Sequence, residues 1–144
     1  ADTSKPDYIT PRLIASNPRA RAVFDAAMRE AWDAKNRLLA LGVPLEFALY
    51  VLPNAKTLRF VESGSLLSLL HKWTLRTCFN AQEEIFLASM DEVDQVRAAH
   101  PCIGKHIGPP CVVRNGLVSP RCTEGTHFCG VPVWRDFPAV VRLL

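Results

Sequence analysis

The stretch SLLSLLHKWTLRTCFNAQEEI, residues 65–85, decides how this chain folds. Leu66, Leu67, Leu69, Leu70 and Trp73 make a strongly apolar helix with a wide buried face, and Ser65 is placed to cap it. The pattern then pauses from Thr77 to Asn80. Asn80 followed by Glu83 has capping-box spacing, which predicts a second helix from Ala81 to about Ala99. A continuous helix would instead place Arg76, Asn80 and Glu83 or Glu84 on one face. His71, Arg76 and Gln82 interrupt the apolar pattern, either as a solvated surface or as an edge that faces a ligand.

Working outward, residues 1–12, ADTSKPDYITPR, read as an extended arm. Asn17-Pro18 opens a long helix, with Asn17 as cap and Pro18 in the first position. Phe24, Met28, Ala31, Lys35 and Leu38 recur at spacings of three and four, and the helix stops near Leu41-Gly42. VPLEFALYVLP (43–53) predicts a short helix opened by Pro44 and closed before Pro53. TLRFVE (57–62) alternates as a strand, with Leu58 and Phe60 on one face. Beyond His100-Pro101, proline, glycine and cysteine replace periodicity until a short apolar tail, FPAVVRLL. The expected class is α/β (α+β), mostly helical with a small sheet. Residues 1–100 form its main domain, and residues 101–144 form an irregular Cys/Pro/Gly-rich cap continuous with it.

At 144 residues the chain is long enough to bury a core without staples. Its hydrophobic content of 49% and charged content of 22% are those of a soluble globular protein. The net charge of +3 is small and the basic residues are scattered, which argues against nucleic-acid binding. No apolar run approaches the roughly 20 residues of a membrane span, and no signal peptide is visible, so a cytoplasmic location is expected. The first residue is Ala1 rather than Met, which suggests a processed product or a fragment. Five cysteines do not make a fully paired framework, so reduced thiols or metal ligands are expected.

The guanidinium of Arg76 presents a planar donor fork suited to phosphate, carboxylate or a nucleobase carbonyl. Its bland alternative is a salt bridge to Glu83 or Glu84. His71 lies five residues earlier and need not share the face. Cys102, Cys111, Cys122 and Cys129 lie in a loop-rich segment with little core of its own, which Zn²⁺ bound to four thiolates would tie down. An iron–sulfur cluster also needs thiolates, but the spacing matches neither common ferredoxin pattern. His106 or His127 could replace one cysteine, or the set could be buried reduced thiols. GxGxxG, P-loop, HExxH and GxSxG motifs are absent.

Taken together, YITPRL (8–13), LLALGVPLEFALYVLPNA (38–55), the expected strand and SLLSLLHKWTLRTCFNAQEEI resemble, in order, the C-terminal half of flavin-dependent thymidylate synthases. The resemblance runs from residue 8 to about 112, through "G-[IV]-P-x-E-x-A-R-x-V-L-P" and "L-R-x-x-x-x-A-Q-x-E-I" patterns. GPPC, CTEG and FCG resemble the cysteine-bearing tail of a subset of the family. The resemblance implies a homotetramer that binds FAD and dUMP at sites shared between subunits and methylates dUMP with methylene-tetrahydrofolate. By position, Arg76 matches the arginine that contacts the uracil, His71 matches a position that approaches the flavin, and Gln82 and Glu84 match residues that support helix packing. The chain departs from the family in three places. The R-H-R segment that precedes the tyrosine-proline region is absent. Leu49 stands where an arginine serves the nucleotide phosphate, and Ser65 where asparagine is usual. Two readings are open: a synthase-like protein that is a fragment or divergent, or a metal-stabilised non-catalytic binding module on the same scaffold.

Overall fold

Asn17 opens the longest helix by accepting hydrogen bonds on Oδ1 from the backbone N–H groups of Arg19 and Ala20, at 3.0 and 3.2 Å. In the computed structural model, which describes residues 4–142, the chain divides into two compact units, Ala1–Val61 and Glu62–Leu144. In the first unit a single turn, α1 (Arg12–Ala15), precedes the long α2 (Pro18–Ala40), the short α3 (Leu45–Ala48) and a 3₁₀ turn at Leu49–Val51. Gly42, at φ +84°, ends α2 in the left-handed conformation that glycine adopts without a Cβ penalty. The N–H groups of Gly42 and Val43 return to the carbonyls of Leu39 and Leu38, each at 3.0 Å.

The core face of α2 is Met28, Trp32 and Lys35, all buried. Two of these fall on the predicted stripe, and Trp32 belongs to it one turn after Met28. Tyr8 packs its ring on Phe24 and Trp32 and donates its hydroxyl proton to Asp25 at 2.8 Å, which lays the N-terminal arm along α2.

The expected small sheet does not form, and among the described residues the fold is helical rather than α/β (α+β). Residues 57–62 form no strand, and Val61 is 99% exposed. The arm makes one isolated antiparallel bridge, Tyr8 to Lys56, with hydrogen bonds from Ile9 to Ala55 and from Thr57 to Asp7. Pro6 and Pro11 flank that contact and lack the N–H groups a longer ladder requires. Alternation in TLRFVE therefore marks a segment fit for pairing, with no strand among the described residues to meet it.

The second unit is built on α4 (Leu66–Arg76) and α5 (Glu83–Ala99), followed by single turns α6 (Pro101–Gly104) and α7 (Pro110–Val113) and 3₁₀ turns at Gly125–His127 and Val133–Arg135. Ser65 caps α4 by accepting from Ser68 N–H at 3.2 Å, as its position predicts. The helix does pause after Arg76. The capping box does not form, because Asn80 sends its side-chain amide to the carbonyl of His127 at 2.7 Å and α5 starts two residues later than expected. One core cluster joins Trp73, Val93 and Ile107, and a second joins Phe79, Phe86 and Val133.

Arg97 ties α5 to the residues just past it. Its guanidinium donates to the carbonyls of Gly104 and Ile107, at 3.2 and 2.8 Å, and lies over the Phe137 ring at 4.7 Å. A Cβ on Gly104 would lie 2.6 Å from Arg97 Cγ and 2.7 Å from its Cα. The Cα is backbone and cannot swing away. Gly104→Ala should therefore lower unfolding free energy by about 1–3 kcal/mol, the usual cost of overpacking. Urea denaturation checks this, and an unchanged midpoint would mean that α6 does not approach α5 so closely.

Candidate functional site

Helix α4 turns about 100° per residue, so residues four apart share a face. Trp73 is buried and Leu69 and Leu70 are half-buried on its inner side. Leu67, His71 and Leu75 form an exposed stripe on the outer side, with Leu67 79% and Leu75 47% exposed. Arg76, on the last turn, is also exposed and makes no side-chain hydrogen bond or ion pair among the described residues. The expected alternative, a salt bridge to Glu83 or Glu84, is not made among the described residues, and Glu84 accepts from the Gln82 amide instead. His71 and Arg76 thus both reach solvent from one helix, about 7.5 Å apart along its axis at ~1.5 Å per residue and on different faces.

Lys72, between them, is occupied. Its ammonium donates to Glu62 and lies 2.6 Å from Glu92, which also accepts the Trp73 indole N–H at 2.8 Å. Burial alone would pull the Lys72 pKa down, but its hydrogen bonds to Glu62 and Glu92 outweigh that and hold it above the ordinary lysine range. For Glu92, burial pushes upward, and the Lys72 and Trp73 hydrogen bonds bring the carboxyl below its ordinary value. This clamp fixes the α4 register that points His71 and Arg76 outward.

At the other end of the unit, Cys78, Cys111, Cys122 and Cys129 line one cavity of about 20 Å³, together with Phe79, Pro109, Phe128 and Val133. Three of these are predicted ligand positions. The fourth predicted position, Cys102, is exposed on α6 and does not line the cavity. Cys78 takes its place from the turn after α4. It escaped sequence reasoning because it lies outside the cysteine-rich segment beyond residue 101, although the Thr77–Asn80 pause was the signal that could have found it. Burial pushes the Cys111 thiol up to about 11, reinforced by the sulfurs of Cys78, Cys122 and Cys129. Burial raises Cys78 as well, against a hydrogen bond from the Asn80 backbone N–H. No three His, Cys, Asp or Glu side chains among the described residues are already gathered as a metal-ligand set. A second, open cavity of about 690 Å³ lies between the 116–121 loop, Phe128 and Trp134, and neither cavity borders His71 or Arg76.

In the first unit, Leu49 begins the 3₁₀ turn half-buried and offers no charge. No helix among the described residues is long and apolar enough to cross a membrane.

Comparison with known proteins gives a consistent result. The family described as "Thymidylate synthase complementing protein" matches residues 1–102. A flavin-dependent thymidylate synthase of Geobacter sulfurreducens is 34% identical over 122 residues, which is 85% of this chain and 50% of that protein. One from Sulfolobus acidocaldarius is 32% identical, covering 86% of this chain and 53% of its own length. One from Nitratidesulfovibrio vulgaris is 31% identical, covering 95% and 58%. The chain spans about half the length of the curated relatives it matches. No solved structure matches it.

The Lys72 clamp has a pH signature. A depressed Glu92 pKa contributes stability that is present above the unfolded glutamate value of ~4.3 and is lost as pH falls through the folded value. With the Glu92 side chain 39% exposed, Glu92→Gln should cost about 0.5–1 kcal/mol at neutral pH. That difference should shrink to nothing in acid, below the range where Glu92 of the wild type is ionised. Urea titrations of both proteins from neutral to acid pH test this, and a difference that does not change with pH would exclude the ion pair as its source.

Proposed function

The chain belongs to the flavin-dependent thymidylate synthase family, and from that membership we propose that α4 supplies the pyrimidine- and flavin-facing wall of a synthase-like site. The observation that carries this reading is Arg76, a guanidinium at a helix end with no acid among the described residues to neutralise it. An unpaired donor fork there is available to a uracil carbonyl. It would stabilise the negative charge that develops on the ring as C5 becomes nucleophilic toward a one-carbon unit. His71 sits between Leu67 and Leu75, which offer apolar surface to a planar flavin while its imidazole offers a donor or acceptor. These residues fit one wall of an FAD site. FAD, when bound, supplies the reducing equivalents, and methylene-tetrahydrofolate supplies the carbon.

A single exposed helix is not an enclosure, so the remaining walls come from other chains in a homo-oligomer. Leu49 adds a second requirement. A leucine cannot make a charge-assisted phosphate contact, so this chain holds dUMP less tightly than a relative with arginine at that position, and its activity alone is incomplete. In this reading the cysteine-bearing end supports the scaffold and takes no part in the chemistry. The competing reading is a metal-stabilised, non-catalytic binding module. It draws on the four cysteines that share a cavity, and a protein that binds no flavin under any condition would favour it.

Arg76→Ala should weaken dUMP binding in the presence of FAD by about tenfold or more, matching the ~1.5–3 kcal/mol of a hydrogen bond to a charged group. The thermal midpoint should stay unchanged, since no protein contact is lost. Calorimetric titration with a parallel melting curve distinguishes the outcomes, because a stability loss with unchanged affinity would make Arg76 structural. Leu49→Arg should raise affinity for dUMP but not for deoxyuridine, and equal effects on both would place residue 49 away from the phosphate.

A further inference from the structure

From Val113 to Gly130 every residue is exposed except Arg114, Cys122 and Cys129. Past the end of α7 at Val113, the stretch holds one 3₁₀ turn and no longer element. It is fastened by Arg114, which donates twice to the Pro120 carbonyl at 3.2 and 3.0 Å, and by the Asn80 amide on His127. Ordering a residue costs on the order of 1–2 kcal/mol of backbone entropy, and almost no apolar burial in this stretch offsets that. Apart from Arg114, the two side chains that turn inward are both thiols, and they meet two more, Cys78 from the α4–α5 turn and Cys111 from α7, around one cavity.

The geometry points to a structural zinc site formed by Cys78, Cys111, Cys122 and Cys129, with Cys102 outside it. Four thiolates are a soft, closed ligand set of the kind tetrahedral Zn²⁺ takes in structural sites. A cavity of about 20 Å³ holds one water-sized sphere, which suits a single ion and is too small for a multi-iron cluster. The chain enters and leaves the cavity by tight reversals. Gly125, three residues after Cys122, and Gly130, directly after Cys129, have φ of +55° and +79°. Asn80 N–H already donates to the Cys78 sulfur, as outer-shell donors do for metal-bound thiolates. Zinc–sulfur bonds of ~2.3 Å require the four sulfurs to close in around the ion, since no ligand set is gathered among the described residues. Binding and tightening of residues 113–130 are therefore one event. The site stands apart from the synthase reading, because none of its ligands is needed to face a nucleotide.

The test uses the full chain purified under reducing conditions and exposed to excess Zn²⁺, then desalted. Elemental analysis should give one zinc per chain in the wild type and in Cys102→Ser, and less than about a tenth of that in Cys111→Ser and Cys129→Ser. Because those two variants can lose their fold, the wild type carries an independent measurement. Stepwise titration with an organic mercurial should release zinc in parallel with loss of the four cavity thiols. Hydrogen exchange in residues 113–130 should rise when a chelator removes the metal. Wild type that keeps five alkylatable thiols and no zinc overturns the proposal. So do a chelator-resistant mass deficit from disulfides, acid-labile sulfide with iron, or loss of zinc in Cys102→Ser.

Discussion

The hydroxyl of Thr77, itself fully buried, donates to the Trp73 carbonyl at 2.7 Å, and the Thr77 N–H reaches the same oxygen at 2.9 Å. These two bonds close the last turn of α4, which ends where the apolar pattern of residues 65–85 pauses. With the helix closed there, three nearby residues go to three environments. Arg76 stays on the last turn in solvent, Cys78 turns into the thiol-lined cavity, and Phe79 packs edge-on against Phe86 at 5.5 Å. A helix continued through this point would carry Phe79 and Cys78 around its own axis and leave the second core without its aromatic pair.

The sequence announced its helix limits wherever a side chain could satisfy a local backbone group. Asn17, Gly42 and Ser65 are such cases, and each acts within a few residues of itself, so no knowledge of the tertiary fold was required. Even Lys35 was legible, since its spacing placed it on the buried face of α2 despite its charge. What sequence could not supply was the partner for groups that bond at a distance. The alternation of Leu58 and Phe60 is real, but a strand exists only when another segment offers its N–H and C=O groups, and the proline-flanked arm offers very few. Asn80 and Glu83 have the right spacing for a capping box, yet Asn80 bonds a carbonyl 47 positions away. Cys78 is the same lesson for the site: its companions lie 33 or more residues further along the chain, and only the fold brings them together.

The α4 surface is legible in a different sense. Residue types named Arg76 and His71 as candidates, but only the structure separates a guanidinium held by an acid from one left open. Lys72 lies four residues before Arg76 on the same helix and is engaged by Glu62 and Glu92. Of the nearby acids that spacing suggested for Arg76, Glu83 and Glu84, neither pairs with it among the described residues, and Glu84 is taken up by Gln82. These acids are thus committed to other partners, and a cation at the C-terminal end of α4, where the helix dipole favours it, retains its capacity for a ligand.

This arrangement links the two ends of the second unit through very few bonds. Arg76 and Cys78 are two residues apart, on either side of the buried Thr77. Whatever fixes Cys78 fixes the last turn of α4, and with it the direction in which the Arg76 guanidinium points. A zinc ion held by Cys78, Cys111, Cys122 and Cys129 would steady Arg76 without touching it, by removing the freedom of the turn to fray. Helix ends are where local opening is cheapest, so an anchor is most effective there. A donor that must meet a developing charge without reorganising is also the group that gains most from it.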